Sequence, residues 1–170
     1  MKKALVVIDM QYDFVFGALG SADAQAILPN VAERIRQARQ NGEQVIFTRD
    51  THGADYATTQ EGKKLPVAHC VKDTAGWEIC DGLYQTGELV FDKPVFGSLE
   101  LASYLQAQAF DSVEFIGVCT DICVVSNVLL AKATCLETEI FVRADCCAGV
   151  TKEKHAAALE TMSSCQVTVL

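Results

Sequence analysis

Three kinds of side chain able to do covalent chemistry fall at the ends of short apolar runs in this chain. Asp9 follows Ala4–Ile8, Asp92 and Lys93 follow Leu89–Phe91, and Val113–Val118 leads into Cys119-Thr120-Asp121-Ile122-Cys123. If the runs are parallel strands, their carboxyl ends share one rim, and that rim is where ligands bind. A single charged residue at such a place is ordinary; a carboxylate, an ammonium and a thiol arriving from three strands are harder to explain by solvation alone. The segment Gly117–Cys123 reads as strand, tight turn and helix start, with Thr120 or Asp121 placed to cap. Cys123 then falls in the first helical turn, where free N–H groups and the helix dipole favour a thiolate, and a nearby Lys93 would favour it further. The backbone amides of Cys119 and Cys123 are candidates for an oxyanion hole. Asp9 is a candidate proton carrier between thiol and leaving group. The alternative is that Cys119 and Cys123, one helical turn apart, only pack against the sheet.

The elements that must position these groups can be read from the apolar pattern. Six runs rich in Val, Ile and Phe (Ala4–Ile8, Gln44–Thr48, Leu89–Phe91, Val113–Val118, Glu139–Val142 and Gln166–Leu170) predict buried strands. Helical spacing lies between them: Val31, Ile35 and Ala38; Leu101, Leu105 and Ala109; the apolar stretch Thr120–Thr134; and Thr151–Ser163 with Ala157, Leu159 and Met162. The alternation predicts a doubly wound, three-layer α/β/α sandwich around a six-stranded, mostly parallel sheet. One domain spanning 1–170 is expected. Residues 50–87, polar and without a clear period, read as a long binding loop.

Composition narrows the partners. The chain has 170 residues, of which 50% are hydrophobic and 21% charged, with a net charge of −8. That is globular composition, and its acidity, with no basic cluster longer than Lys63-Lys64, speaks against nucleic-acid or anionic-membrane partners. No run approaches the ~18 apolar residues of a membrane span. The apolar run after Met1-Lys2-Lys3 is too short for a secretory signal. A cytoplasmic protein with eight free cysteines is expected, most of them buried as small hydrophobes.

The residues Val-Ile-Asp-Met-Gln-Tyr-Asp-Phe at 7–14, Asp50-Thr51-His52, His69-Cys70, Lys93-Pro94-Val95-Phe96-Gly97-Ser98 and Gly-Val-Cys-Thr-Asp-Ile-Cys-Val at 117–124 resemble those of the isochorismatase-like cysteine hydrolases, and within them the nicotinamidase-related amidases. The resemblance covers essentially the whole chain. It implies Asp9 as general base and acid, Lys93 as its electrostatic partner and Cys123 as nucleophile. It also implies a cis peptide between Val118 and Cys119. The reaction implied is attack on a small carboxamide, ammonia release and hydrolysis of a thioester, with nicotinamide to nicotinate as the best single substrate. The resemblance further implies a divalent metal (zinc, iron or manganese) near the substrate, with Asp50, His52 and His69 in three of its ligand places, and no organic cofactor. A further His of the family pattern is missing, and Asp55, Tyr56 and Thr58 stand in its neighbourhood. Phe14, Trp77 and Phe96 are the expected pocket residues, Leu65-Pro66 standing where nicotinamidases carry a tryptophan. A homo-oligomer is expected.

Other features read as structural. Cys70 and the Cys146-Cys147 pair are expected to pack, His155 to be solvated at a helix start, and residues 60–64 to form an exposed loop. Three alternatives stay open at this point. They are a family hydrolase of another substrate (carbamoyl compound, other amide or vinyl ether), a phosphoacceptor receiver domain, and a thiol-sensing or binding protein without activity.

Overall fold

The computed structural model describes residues 1–170. Six strands, β1 (Lys3–Ile8), β2 (Gln44–Asp50), β3 (Leu89–Lys93), β4 (Ser112–Val118), β5 (Glu139–Ala148) and β6 (Thr168–Val169), form one sheet in the order β3-β2-β1-β4-β5-β6. Every pairing is parallel, so the sheet is wholly parallel and not merely mostly so. The chain winds outward from β1 in one direction and from β4 in the other, which leaves a crevice between the ends of those two strands. The receiver alternative predicts the order 2-1-3-4-5 and is excluded by this topology.

Helices α1 (Tyr12–Val15), α2 (Ala22–Gln40), α3 (Gln60–Lys64), α4 (Leu99–Gln108), α5 (Val125–Thr134) and α6 (Lys152–Ser164) complete the layers. Strand alternation divides the core in two. Leu5 and Val7 face α2 through Val31, Ile35 and Ala38, whereas Ala4, Val6 and Ile8 face the side of Leu101, Val128 and Met162. Ser21, Ser98 and Thr151 cap α2, α4 and α6 by accepting the N–H groups of Ala24, Leu101 and Lys154. No helix is long and apolar enough to cross a membrane.

Several expected boundaries move. β3 continues through Asp92 to Lys93, and β5 runs on to Ala148, so Cys146 and Cys147 are strand residues buried in the sheet. β6 shrinks to two residues. Ala109 is not on the buried stripe of α4, because the helix ends there in a left-handed residue (φ 48°). In α6 the buried stripe runs through Ala158 and Met162, leaving Ala157 exposed. The stretch 50–87 is not structureless. It holds 3₁₀ turns at Tyr56–Thr58 and Ala75–Trp77, helix α3, and single bridges from His52 to Val71 and from Gln11 to Ile79.

Gly117, the penultimate residue of β4, sits opposite Ile8 with φ 116°. A Cβ at this position would collide with the Ile8 carbonyl oxygen. Because both a positive φ and a backbone clash oppose any side chain, Gly117→Ala is expected to cost about 3 kcal/mol or more, read as a lowered urea unfolding midpoint.

Candidate active site

The crevice between β1 and β4 holds the three groups that the strand ends bring forward. Asp9 follows β1 with φ 48° and is fully buried. Thr48 on β2 fixes it twice: its hydroxyl donates to Asp9 Oδ1 at 2.6 Å and accepts from the Asp9 N–H at 3.2 Å. Lys93, at the end of β3 and 1% exposed, places its ammonium 2.6 Å from Asp9 Oδ2 and 3.4 Å from Asp50 Oδ1. The same ammonium donates to Cys123 Sγ at 3.6 Å. Cys123 is buried in a π-helical stretch, Thr120–Val124, that leads directly into α5. The Val118–Cys119 peptide before it is cis.

Burial is the largest influence on each of these groups. It pushes the Cys123 thiol well above its usual range, Asp9 adds to the shift, and Lys93 opposes it without prevailing. Burial likewise raises Asp9, against Lys93. For Lys93 burial pulls downward, but Asp9, the Cys123 sulfur and Asp50 together hold the ammonium well above its ordinary value. The Cys119 thiol beside the cavity is pushed up to about 12, chiefly by burial.

Neither Thr120 nor Asp121 caps the turn as expected. Asp121 Oδ1 accepts the Val150 N–H at 2.9 Å, and Thr120 Oγ1 meets His155 Nδ1 at 2.7 Å. His155 is thus half-buried and engaged, not solvated. Asn127, one turn after Cys123, donates to the carbonyls of Cys123 and Phe96 and accepts from the Ser98 N–H. Gln11 is fully buried and ties three segments together. Its side chain accepts from the Asp50 N–H and donates to the carbonyls of Asp50 and Trp77. Thr48, Gln11 and Asn127 are the positioning residues that sequence reasoning missed. Their only signal is a polar side chain two residues after Asp9, four after Cys123, or inside an apolar strand.

A second cluster adjoins the first through Asp50. His52 Nε2 and His69 Nε2 lie 2.9 and 3.5 Å from Asp50 Oδ2, and both are 3.8 Å from Glu61 Oε1. All four donor atoms fall within 4.8 Å of one another. A cation about 2.1 Å from each donor would set neighbouring donors roughly 3–4 Å apart, so the set fits one ion. The Val67 carbonyl accepts the Nδ1–H of His69 at 2.8 Å, which fixes the ring with Nε2 facing the cluster. Two imidazoles with two carboxylates suit zinc, iron or manganese. Hydrogen bonds from His52 and His69 and the Lys93 charge outweigh burial and hold the Asp50 carboxyl well below its usual range.

The fourth donor comes from an unexpected place. Residues 60–64 are not an exposed loop but helix α3, capped by Thr59, with Glu61 turned inward. Gly62 makes this possible, because any Cβ there would collide with the Tyr56 carbonyl. Asp55, Tyr56 and Thr58 supply no donor to the cluster. Tyr56 instead packs its ring on both imidazoles, with centroids 4.8 Å and 5.1 Å away.

A cavity of about 510 Å³ opens over both clusters, reaching Cys119, Cys123, Asp50, Glu61 and His69. Phe14 and Phe96 line it as expected. Trp77 does not. Its indole N–H donates to Thr51 Oγ1 at 2.8 Å and the Arg49 guanidinium lies 3.6 Å over its ring, so it is buried against those two residues. The arrangement offers a thiol on the lining of a mainly apolar cavity, with a buried proton acceptor and an ammonium behind it and an ion-binding set on one wall.

The isochorismatase domain family matches residues 3–170. The chain belongs to the isochorismatase family. It is 28% identical to the nicotinamidase/pyrazinamidase of Mycobacterium tuberculosis, covering 97% of this chain and 96% of that protein. It is 32% identical to an Arabidopsis thaliana protein described as a "probable inactive nicotinamidase", over 95% of this chain and 88% of that one. A solved pyrazinamidase of Pyrococcus horikoshii in complex with zinc superposes with a TM-score of 0.88 at 29% identity, covering 100% of this chain and 99% of the other. By these likenesses this chain is a nicotinamidase-like member of that hydrolase family.

Two outcomes follow from the geometry. Lys93→Met leaves Asp9 and Asp50 buried without their cation, and is expected to lower stability by about 3–5 kcal/mol, measured by urea denaturation. Glu61→Ala removes one of four donors at the edge of the cluster. It should weaken zinc binding by about tenfold or more in a calorimetric titration while leaving the circular dichroism spectrum unchanged.

Proposed function

We propose that this chain is a cysteine amidase that cleaves a small carboxamide through a thioester on Cys123, with nicotinamide to nicotinate as its first substrate to test. The observation that carries the reading is the buried Lys93 ammonium, 2.6 Å from Asp9 Oδ2 and 3.6 Å from the Sγ of Cys123, the residue of the three that lines the cavity. Asp9 takes the proton from the thiol as sulfur attacks the amide carbonyl, and Lys93 keeps the two anionic groups compatible. The backbone amides of Cys119 and Cys123 receive the oxyanion. Asp9 then gives its proton to the departing nitrogen, ammonia leaves, and a water deprotonated by Asp9 hydrolyses the thioester.

Asp50, His52, Glu61 and His69 would hold a divalent cation, most simply zinc, iron or manganese. When bound, the ion supplies a Lewis acid on the wall of the cavity, able to orient a ring heteroatom or a water. Phe14 packs against His69 with ring centroids 5.5 Å apart and presents a flat apolar surface to an aromatic amide. The same reading takes 1–170 as one domain, acting in the cytoplasm as a homo-oligomer without nucleic-acid or membrane partners. All eight cysteines are unpaired, in keeping with a reducing compartment.

Ammonia release from nicotinamide, measured for wild type and for Cys123→Ala and Asp9→Asn, tests the mechanism. Wild type is expected to release ammonia, and each variant to lose at least about 10³-fold in kcat. Ammonia release that survives Cys123→Ala would overturn the nucleophile assignment.

A further inference from the structure

The cavity is larger than a single-ring amide needs, and its surplus has a definite position and character. About 150 Å³ is enough to enclose a benzene ring, whereas this cavity measures about 510 Å³. Of its charged lining residues, Asp50 ends β2 and Glu61 and His69 follow it, so all three stand on one side of Cys123. In the sheet order β2-β1-β4-β5, Cys123 follows β4, and the cavity continues past it toward β5. There it runs between the segment before and at the start of α2 (Leu19, Ser21, Ala24) and the turn after β5 (Ala148, Gly149, Val150). No charged side chain lines this half. Its floor is apolar and fixed: Ala24, Val118 and Ala148 are buried in the α2-side core. The turn that forms its far wall is pinned to the Cys123 segment by the Val150 N–H to Asp121. The small residues keep the lobe open, and only Ser21 offers a side-chain oxygen, already accepting the Ala24 N–H.

From this we infer that the β5-side lobe is a specificity subsite for an uncharged, mainly apolar extension of the substrate, one further ring or a short alkyl chain. The inference rests on the amidase reading above and deepens it. A carboxamide whose reacting carbon lies at Cys123 can send its heteroatom-bearing part toward the Asp50–Glu61 wall and its apolar extension into the lobe. Such an extension is carried either on the amide nitrogen, leaving as a primary amine in place of ammonia, or on the acyl part. In the first case the C–N bond breaks as the C–S bond forms, and the thiol proton, carried by Asp9, ends on the departing amine. Burying a four-carbon chain in an apolar lobe is worth far more than one methylene, and even a single methylene can change specificity by tenfold or more.

The test compares nicotinamide, N-butylnicotinamide and a ring-butylated nicotinamide as substrates of the full chain. At least one butyl compound is expected to exceed nicotinamide in kcat/KM by about tenfold. Val150→Phe and Ala18→Phe fill the lobe from opposite walls at exposed positions. Each should reduce the butyl-to-parent ratio of kcat/KM by about tenfold, with thermal unfolding confirming that the variants fold. The product formed, butylamine or ammonia, tells which end of the substrate the lobe receives. Butyl compounds cleaved no better than nicotinamide, or a ratio that neither variant moves, would overturn the subsite. Calorimetric binding of the same three amides to Cys123→Ala separates this failure from that of the amidase reading. No turnover of any amide defeats the amidase reading. Tighter binding of a butyl compound, lost in Cys123→Ala/Val150→Phe, then still upholds the lobe, and equal binding defeats it.

Discussion

Burying an ammonium with almost no access to water is costly unless several anions surround it, and the site is organised around that requirement at Lys93. Its three donors face Asp9, Asp50 and the Cys123 sulfur, one from the end of β1, one from the end of β2 and one from the turn after β4. Each of those groups is itself deeply buried and would be costly as an anion without the ammonium. The ion group therefore does two things with one set of contacts. It holds four chain segments in register across the crevice, and it keeps a proton acceptor beside a thiol. Asp9, Asp50 and Cys123 cannot be repositioned separately, because moving one leaves the remaining charges uncompensated.

Asp50 carries this constraint outward. One of its oxygens faces Lys93 and the other faces the two imidazoles, so the ion-binding set and the thiol site share a carboxylate. Gln11 fixes the backbone of Asp50 from both sides and binds the Trp77 carbonyl as well. Through these contacts the long 50–87 excursion is anchored to the strand that bears Asp9. Its short elements then become intelligible: α3 exists to aim Glu61, and Tyr56 exists to pack the imidazoles. Membership of the isochorismatase family agrees with this arrangement, and the zinc-bound pyrazinamidase shares the fold over its full length.

On the opposite side of Cys123 the constraint is absent. The wall there is built from alanines, glycines and backbone, with Asp121 and the Thr120–His155 contact bracing the turn from behind. A rigid charged half and an open apolar half meet at the thiol. Substrate choice among relatives of one fold can then be made by the apolar half without disturbing the charged one.

The six strands and the groups at their ends were legible in the sequence because a buried parallel strand needs an unbroken apolar run, and a polar residue that ends such a run is fixed at the rim by the chain itself. Asp9, Lys93 and Cys123 could be named together for that reason, and the family pattern added Asp50, His52 and His69. What the sequence could not reveal depends on contacts between distant segments. Glu61 joins the cluster only because Thr59 caps a one-turn helix and Gly62 lets it lie against Tyr56, and neither contact leaves a periodic trace. Trp77 turns away from the cavity because Arg49 and Thr51 claim its ring and its N–H. The upward push on the Cys123 thiol follows from depth, which composition does not report. Local pattern determined which strands form and which chemistry reaches their ends; only the tertiary structure decided how deeply those groups are buried and which loop residues meet them, because desolvation and long-range packing are properties of the folded whole.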